Sequence, residues 1–173
     1  PGGRCEIWST VRHLEYGAST VFPCGGRSRC AVNQGSRTGR RRCVAFGVQA
    51  LLVGETSSSP WLRRAVRSSM GTIYQLPVVE PPSLAKALLD LRLAGVRCVA
   101  AHPHTNRRTL AQADLRGDCC LVFGSEGNGI SDEVLAACDE AVLVPMSNGV
   151  DSLNVGAAAA VFLYEAARQR GRG

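Results

Sequence analysis

Two short apolar runs in the C-terminal third of the chain each end in a cluster of small and polar residues. The first, at residues 121–123, leads into Gly124-Ser-Glu-Gly-Asn-Gly, and the second, at residues 142–144, leads into Pro145-Met146. Asp151-Ser152-Leu153-Asn154 follows after a short gap. In α/β proteins the ligand-binding loops lie where buried strands end. The pattern therefore predicts buried strands with a ligand site at their carboxyl ends.

The glycine-rich loop is compatible with more than one kind of site. Three glycines within residues 124–129 allow either a close approach of the backbone to a bound group or a turn with positive φ. A phosphate-cradling turn of a dinucleotide-binding protein is one interpretation, but the spacing Gly-x-Gly-x-x-Gly is absent. The next strand ends in Pro145-Met146 and not in the acid expected to bind a ribose. The loop therefore does not favour an oxidoreductase.

From residue 44 onward the chain alternates between apolar runs and amphipathic segments. Strands are predicted at residues 48–53, 96–101, 119–123 and 142–146, with a short edge segment at residues 76–79. Helices are predicted to begin near Trp61, after Pro82-Ser83, after Ser131 (through Cys138) and at Val155. This alternation predicts the α/β class, with a mostly parallel sheet covered by helices on both faces.

The composition changes abruptly near residue 43. Residues 1–43 contain eight arginines and two glutamates, a net charge of +6 that equals the net charge of the whole chain. They also contain four of the eight cysteines and few aliphatic residues, so they have little apolar surface to offset the entropy lost on ordering. We therefore expect an anomalous basic segment at residues 1–43 and one folded domain at residues 44–173.

Three interpretations of residues 1–43 stay open. Clustered arginine is typical of an RNA-contacting arm. A zinc site is the second interpretation, although Cys5, Cys24, Cys30 and Cys43 form no Cys-x-x-Cys pair. The third is a frameshift upstream of about Val44, because alanine codons of a GC-rich gene become arginine codons when they are read one base out of step. The encoding DNA would distinguish the third interpretation from the others.

The remaining cysteines and the apolar runs bear on the compartment. Cys98, Cys119, Cys120 and Cys138 lie in or beside apolar runs, as expected of buried thiols in a reducing compartment. No run approaches the roughly 20 apolar residues that span a bilayer, and the first residues lack the apolar core of a signal peptide. His102 and His104 have no cysteine or carboxylate beside them, which favours a pocket-lining loop over a metal pair. We expect a cytoplasmic protein with no metal and no membrane segment.

The order of these motifs resembles that of the SpoU family, also called the TrmH family, of RNA ribose 2′-O-methyltransferases. The family's second motif, Gly-x-Glu-x-x-Gly after a strand, is matched by Gly124, Glu126 and Gly129. Its third motif is matched by Val144-Pro145-Met146 and by Ser152-Leu153-Asn154, which a helix follows. The resemblance runs from about residue 44 to residue 168.

The resemblance implies methyl transfer from S-adenosylmethionine to a ribose 2′-hydroxyl of a structured RNA, either rRNA or tRNA. It also implies a homodimer that uses the last helix, and a C-terminal trefoil knot, which is an exception to the rule that chains do not thread loops. The implied cofactor-binding positions lie at the ends of the last three strands and before the last helix: Ala101, His102, Gly124, Val144, Met146 and Leu153.

The positions that the resemblance implies for catalysis are Arg41, Glu126, Ser152 and Asn154. Arg107 and Arg108, in the loop after His104, are candidates for contacts to RNA phosphates because of their charge. Counting back from Phe46 places Arg41 at the family's catalytic arginine, but Gly35 stands where the family has asparagine. Alternative roles stay open: a surface acid for Glu126, an N-cap for Ser152 or Asp151, and a solvated loop for the two RNA-binding arginines. A non-catalytic RNA-binding or cofactor-binding member of the same fold is the alternative function.

Overall fold

The computed structural model describes residues 29–33 (backbone only), 43, 45–55, 77–103, 108–125, 128–147 and 152–171. The strands of these residues are β1 (Arg29–Asn33), β2 (Ala50–Val53), β3 (Val78–Val79), β4 (Arg97–Ala101), β5 (Cys119–Phe123) and β6 (Glu140–Val142). The helices are α1 (Leu84–Leu93), α2 (Asp132–Ala136) and α3 (Val155–Gln169), with a 3-10 turn at Leu110–Gln112.

The strands form one six-stranded sheet in the order β3-β2-β1-β5-β4-β6. Every recorded pair of neighbouring strands is parallel. The chain leaves β1 towards one edge of the sheet and leaves β5 towards the other edge, so the strand order reverses between these two central strands. Open α/β sheets bind ligands beyond the carboxyl ends of strands near such a reversal. The predicted parallel α/β architecture is confirmed.

Apolar side chains are buried on both faces of the sheet. One face carries Leu52 and Val122 in a cluster with the inward residues of α1 and α2. The other face carries Leu51 and Leu121 in a cluster with α3 and the 3-10 turn. Successive strand residues point to opposite faces, so continuous apolar runs supply both layers. The prediction of helices on both faces is therefore also confirmed.

The starts of two helices follow their predicted caps. Ser83 Oγ accepts a hydrogen bond from the Lys86 N–H (3.3 Å), and Ser131 Oγ accepts one from the Val134 N–H (3.4 Å). α2 nevertheless ends at Ala136, two residues earlier than predicted. The Asp139 N–H donates to the Cys98 carbonyl (2.8 Å), so the chain is already turning onto β4 at that point.

β3 and β4 begin two residues and one residue later than predicted, and the predicted bounds of two other strands were also wrong. β2 begins at Ala50 and not at residue 48, and β6 covers Glu140–Val142 and not residues 142–146. β6 pairs with β4, and β4 ends at Ala101, which lies opposite Val142. Beyond that point β4 offers no further ladder partner. The helix predicted near Trp61 lies outside the described residues.

The first 43 residues contribute to the sheet, contrary to the expectation that they add little ordered structure. β1 pairs with β2 on one side and with β5 on the other. Cys43, at 3% exposure, belongs to the cluster on the α3 face. A central strand gains hydrogen-bonded ladders on both sides, which a count of aliphatic residues does not capture. The division at residue 43 stays a prediction, and the sheet extends across it.

Candidate functional site

The carboxyl ends of β5, β4 and β6 lie side by side at one edge of the sheet. Ala101 is the register partner of both Phe123 and Val142. The His102 N–H extends this contact by donating to the Val142 carbonyl (3.0 Å). The predicted cofactor positions on these strand ends are all half-buried: Ala101, His102, Gly124 and Val144. The structure thus brings together positions that are up to 43 residues apart in the sequence.

The other predicted positions lie in the segment between β6 and α3. Met146 is 36% exposed, Leu153 is half-buried, and Ser152 is exposed. Val155, the first residue of α3, belongs to the same apolar cluster as Phe123 and Val142, so α3 begins at the edge where β5 and β6 end. The predicted residues that lie outside the described part of the chain are Arg41, Glu126, Arg107 and His104.

The glycine-rich loop closes on itself. The Ser125 N–H donates to the Gly129 carbonyl (2.9 Å), and the Gly129 N–H donates to the Ser125 carbonyl (3.1 Å). Gly129 has φ +68°, in the region that favours glycine. A Cβ on Gly124 would lie 2.3 Å from the Gly129 carbonyl carbon and 2.6 Å from its oxygen. Gly124 is therefore required for the close approach of the loop's own backbone, a role that the sequence pattern could not separate from close approach to a ligand.

Asn154 is the N-cap of α3. Its Oδ1 accepts a hydrogen bond from the Ala157 N–H (2.7 Å), and its backbone is extended (ψ 151°). The alternative that Asp151 or Ser152 caps this helix was wrong. Asparagine is among the best N-cap residues because its short side chain reaches the free N–H groups of the first turn. The capping bond uses the amide oxygen, so the Nδ2 group is the part of this exposed side chain that can face a substrate.

The end of β6 lies between two parts of the connection from β4 to β5. On one side the His102 N–H donates to Val142. On the other side the Leu143 N–H donates to the Arg108 carbonyl (3.1 Å), and the Leu110 N–H donates to the Leu143 carbonyl (2.8 Å). Thr109 and Leu143 form an isolated parallel bridge. The chain that leaves β4 therefore returns on the far side of β6.

The Arg108 side chain is engaged by an acid at the edge of the sheet. Its Nη1 lies 3.2 Å from Glu140 Oε2, and its side chain is 48% exposed. Arg97 Nη2 lies 3.1 Å from Glu140 Oε1, which is ion-pair distance but does not give hydrogen-bond geometry. Two guanidinium groups around one carboxylate leave a net positive charge at this edge.

The thiols of the described residues are mostly buried and unlike reactive groups. Cys98, Cys119 and Cys120 are buried, as predicted, whereas Cys138, also predicted to be buried, is half-buried; Cys43 is buried as well. Burial, and then the nearby Cys98 and Asp139, raise the pKa of Cys138 to about 12, so this thiol stays protonated at neutral pH. Within the described ranges, no three His, Cys, Asp or Glu residues are grouped to bind a metal ion, and no helix has the length and apolarity to cross a membrane.

Two residues next to the site's scaffold were missed by the sequence reasoning. Gln169 and Arg170, at the end of α3, bind main-chain atoms of residues 113–117. Both lie in an arginine-rich stretch that resembles a solvated helix end, and no local pattern distinguishes Arg170 from its exposed neighbour Arg168. The partners of these two side chains lie more than 50 positions away in the sequence, so no pattern in the neighbouring residues predicts the contacts.

A parallel sheet with a closed glycine loop, and with half-buried residues at three adjacent strand ends, defines an α/β domain with a candidate ligand site at its strand ends. The sequence model of the SpoU rRNA Methylase family matches residues 38–164. The chain belongs to that family. The predicted resemblance is confirmed, and the matched range begins before the boundary at residue 43.

Individual relatives agree with this assignment. An uncharacterized tRNA/rRNA methyltransferase of Mycobacterium bovis is 34% identical over 164 residues, covering 92% of this chain and 55% of that protein. The 23S rRNA (guanosine-2′-O-)-methyltransferase of Xanthomonas campestris is 35% identical over 130 residues, covering 75% and 52%. The chain thus spans about half the length of these curated relatives. The SpoU methyltransferase AviRb of Streptomyces viridochromogenes, solved with AdoMet, superposes with a TM-score of 0.77 at 28% identity, covering 87% of this chain and 61% of that one.

Proposed function

We propose that this chain is the catalytic domain of an S-adenosylmethionine-dependent RNA methyltransferase that modifies a ribose 2′-hydroxyl of rRNA or tRNA. The observation that carries the proposal is the convergence of Ala101, His102, Gly124 and Val144 at adjacent strand ends in a member of the SpoU family. The names of the relatives support the finer points. One is a guanosine-2′-O-methyltransferase of 23S rRNA, and another was solved with AdoMet.

The residues at the strand ends fit this cofactor. Backbone N–H and C=O groups at strand ends suit the hydrogen-bonding edge of adenine. The half-buried side chains of Ala101, Val144 and Leu153 suit its apolar ring faces. When bound, the cofactor supplies an electrophilic methyl group on a sulfonium, whose charge is lost on transfer. The pocket therefore needs no strong acid or metal, but it must fix an in-line geometry, and a group must accept the hydroxyl proton.

The roles proposed for the chain's own residues concern the ribose. Ser152 and the Nδ2 group of Asn154, both exposed before α3, hold the target ribose. Glu126 organises the donors of the glycine loop. Arg41 contacts the phosphate and helps to remove the hydroxyl proton. Arg107 and Arg108 contact RNA phosphates, and the exposed half of Arg108 supports this role even though Glu140 holds one of its nitrogens.

We also propose the knotted topology of the family. The parts of the β4–β5 connection at residue 102 and at residues 108–110 lie on opposite sides of the end of β6, and the chain then continues into α3. α3 packs against β5 and the 3-10 turn of the same connection. This path supports threading of the C-terminal segment through that connection.

A second copy of the chain is the proposed partner of α3. Val161 is 39% exposed and Tyr164 is 54% exposed on one side of the helix, and small half-buried alanines lie near its start. Exposed apolar side chains on a closely packing helix are typical of an interface.

Activity on rRNA or tRNA would place the protein in the cytoplasm.

The arginine-rich stretch before residue 43 contains the proposed catalytic Arg41, so catalytic activity depends on it. β1 lies at the centre of the sheet and the family match begins at residue 38, and both support native coding for the residues they include, against the proposed frameshift upstream of about Val44. Gly35 in place of asparagine favours the alternative of a cofactor-binding member without activity. A catalytic domain and a cofactor-binding member without activity would both bind S-adenosylmethionine, but only the first would transfer its methyl group to RNA.

Calorimetric titration with S-adenosylmethionine, followed by transfer of a labelled methyl group to rRNA and tRNA, tests the function. We expect binding, and label that remains in alkali-resistant dinucleotides, because a 2′-O-methylated ribose lacks the hydroxyl needed for alkaline cleavage. Binding without transfer would establish the non-catalytic alternative. Label in the mononucleotides that alkali releases would contradict methylation of the ribose 2′-hydroxyl. Absence of S-adenosylmethionine binding would overturn the proposed function.

Asn154 allows its capping role to be separated from its substrate role. Asn154→Asp keeps an N-cap acceptor for the Ala157 N–H, so the free energy of unfolding should change by less than about 0.5 kcal/mol. It removes the Nδ2 donor, so methyl transfer should fall by at least about tenfold. Asn154→Ala should lose about 1 kcal/mol of stability as well as activity. Full activity in Asn154→Asp would show that the side chain serves the helix alone.

A further inference from the structure

Gln169, in the last turn of α3, holds the segment at residues 113–115 through both ends of its amide. Its Nε2 donates to the Ala113 carbonyl (2.9 Å), and its Oε1 accepts from the Leu115 N–H (2.7 Å). The same Nε2 donates to Glu165 Oε1 (2.8 Å). Hydrogen bonds from Arg168 and then from Gln169 lower the pKa of Glu165 to about 2. This carboxylate is therefore ionised at neutral pH and keeps the amide in one orientation.

Arg170 extends the same attachment towards β5. Its Nε donates to the Leu115 carbonyl (2.8 Å), and its Nη2 donates to the Gly117 carbonyl and to Cys119 Sγ (3.2 Å). The residue is 6% exposed, although it is an arginine near the end of the chain. Together the two side chains contact every second residue from 113 to 119, as a neighbouring strand would. We call this pair the latch.

The chain just before the segment that the latch binds holds the end of β6. Leu143 exchanges backbone hydrogen bonds with residues 108 and 110, only a few residues before Ala113. Residues 144–147 leave the chain at this point, and residues 152–154 lead into α3, whose far end the latch holds against residues 113–119. A 15-residue helix is roughly 22 Å long, so holding its far end sets the direction in which its first turn points.

We infer that Gln169 and Arg170 are positioning residues for the cofactor site, acting through the tilt of α3 on residues 144–147 and 152–154. The identity of the cofactor rests on the proposed function, whereas the mechanical coupling does not. The latch contacts neither ligand nor reacting atoms, and its effect passes through Leu143 at one end of the loop and through Asn154 at the other.

The test compares Gln169→Leu with Leu91→Ala in the full chain. Gln169→Leu keeps the side-chain bulk but loses both main-chain bonds. Leu91 is fully buried on the opposite face, against α2 and β4, so Leu91→Ala lowers global stability without touching the latch. Amide hydrogen exchange at Leu110 and Leu143 and the Kd for S-adenosylmethionine are measured at a temperature where both variants are folded. Gln169→Met, which keeps a flexible unbranched side chain of similar length and also loses both main-chain bonds, replaces Gln169→Leu if the latter does not fold.

In Gln169→Leu we expect exchange at Leu110 and Leu143 to accelerate at least about tenfold beyond the globally exchanging amides, and the Kd to rise at least about tenfold. In Leu91→Ala these two amides should follow the global amides, and the Kd should stay at the parent value. If Leu110 and Leu143 exchange at the same rate relative to the global amides in both variants, the latch does not hold the end of β6. Accelerated exchange with an unchanged Kd would overturn its role in positioning. Failure of the parent chain to bind would reject the proposed function, while the exchange data would still decide the coupling.

Discussion

Replacing Gly124 with alanine should abolish binding of S-adenosylmethionine and lower the free energy of unfolding by about 3 kcal/mol. The new Cβ would lie 2.3 to 2.7 Å from three backbone atoms of Gly129. Backbone atoms cannot rotate away as a flexible side chain can, so the two hydrogen bonds between Ser125 and Gly129 must break. The loop would then open beside Ala101 and Val144. Calorimetric titration and thermal unfolding would measure the two effects.

Gly117→Ala is the matched control for this prediction. Nothing lies within 4 Å of a Cβ at that position, and its φ is not in the region that favours glycine. The substitution should leave binding unchanged and stability equal or slightly higher, because alanine restricts the unfolded chain. A Gly124→Ala protein that binds the cofactor as tightly as Gly117→Ala would contradict the assignment of the glycine loop to the cofactor site.

Arg170→Ala should lower the free energy of unfolding by about 4 kcal/mol, measured by chemical denaturation. The substitution removes the donors to two main-chain carbonyls and leaves a space beside Cys119 in the cluster under α3. One nitrogen of the guanidinium, Nη1, is buried without a hydrogen bond within the described residues, and its loss offsets part of this cost. The remaining cost reflects carbonyls that lose their partner and cannot reach water.

Two variants test whether the effect belongs to the buried geometry of Arg170. Arg168→Ala removes a neighbouring arginine that is 58% exposed and paired with Glu165, and it should cost less than about 1 kcal/mol. Arg170→Lys keeps the charge, but one ammonium group cannot reach Leu115, Gly117 and Cys119 together, so an intermediate loss is expected. Equal stability of Arg170→Ala and Arg168→Ala would show that the buried contacts contribute nothing.

Much of the architecture could be predicted because the signals are local. Residues 119–123 were predicted as a strand with the bounds that β5 has. The serines at positions 83 and 131 marked helix starts because an N-cap acts on N–H groups two or three residues away. The order of the glycine loop, the Pro-Met strand and the Ser-Leu-Asn triplet identified the family, which the match over residues 38–164 confirmed.

The errors share one physical cause, which is that the deciding partner is distant in the sequence. β1 is stabilised by ladders to β2 and β5, so its few aliphatic residues did not predict it. β6 stops at Val142 because β4 stops at Ala101. The N-cap of α3 was considered for Ser152 or Asp151, yet the helix begins later in the chain and Asn154 is its cap.

By itself, the sequence determined the α/β class, the family and the strand-end positions of the candidate site, because alternation, caps and short motifs act over a few residues. The tertiary structure decided which strand ends are neighbours and that Gly124 is needed by Gly129. It also decided that Gln169 and Arg170 hold residues 113–119 from the far end of α3. These contacts depend on the path of the whole chain, since hydrogen bonds and steric exclusion act between atoms that are close in space, whatever their separation in sequence.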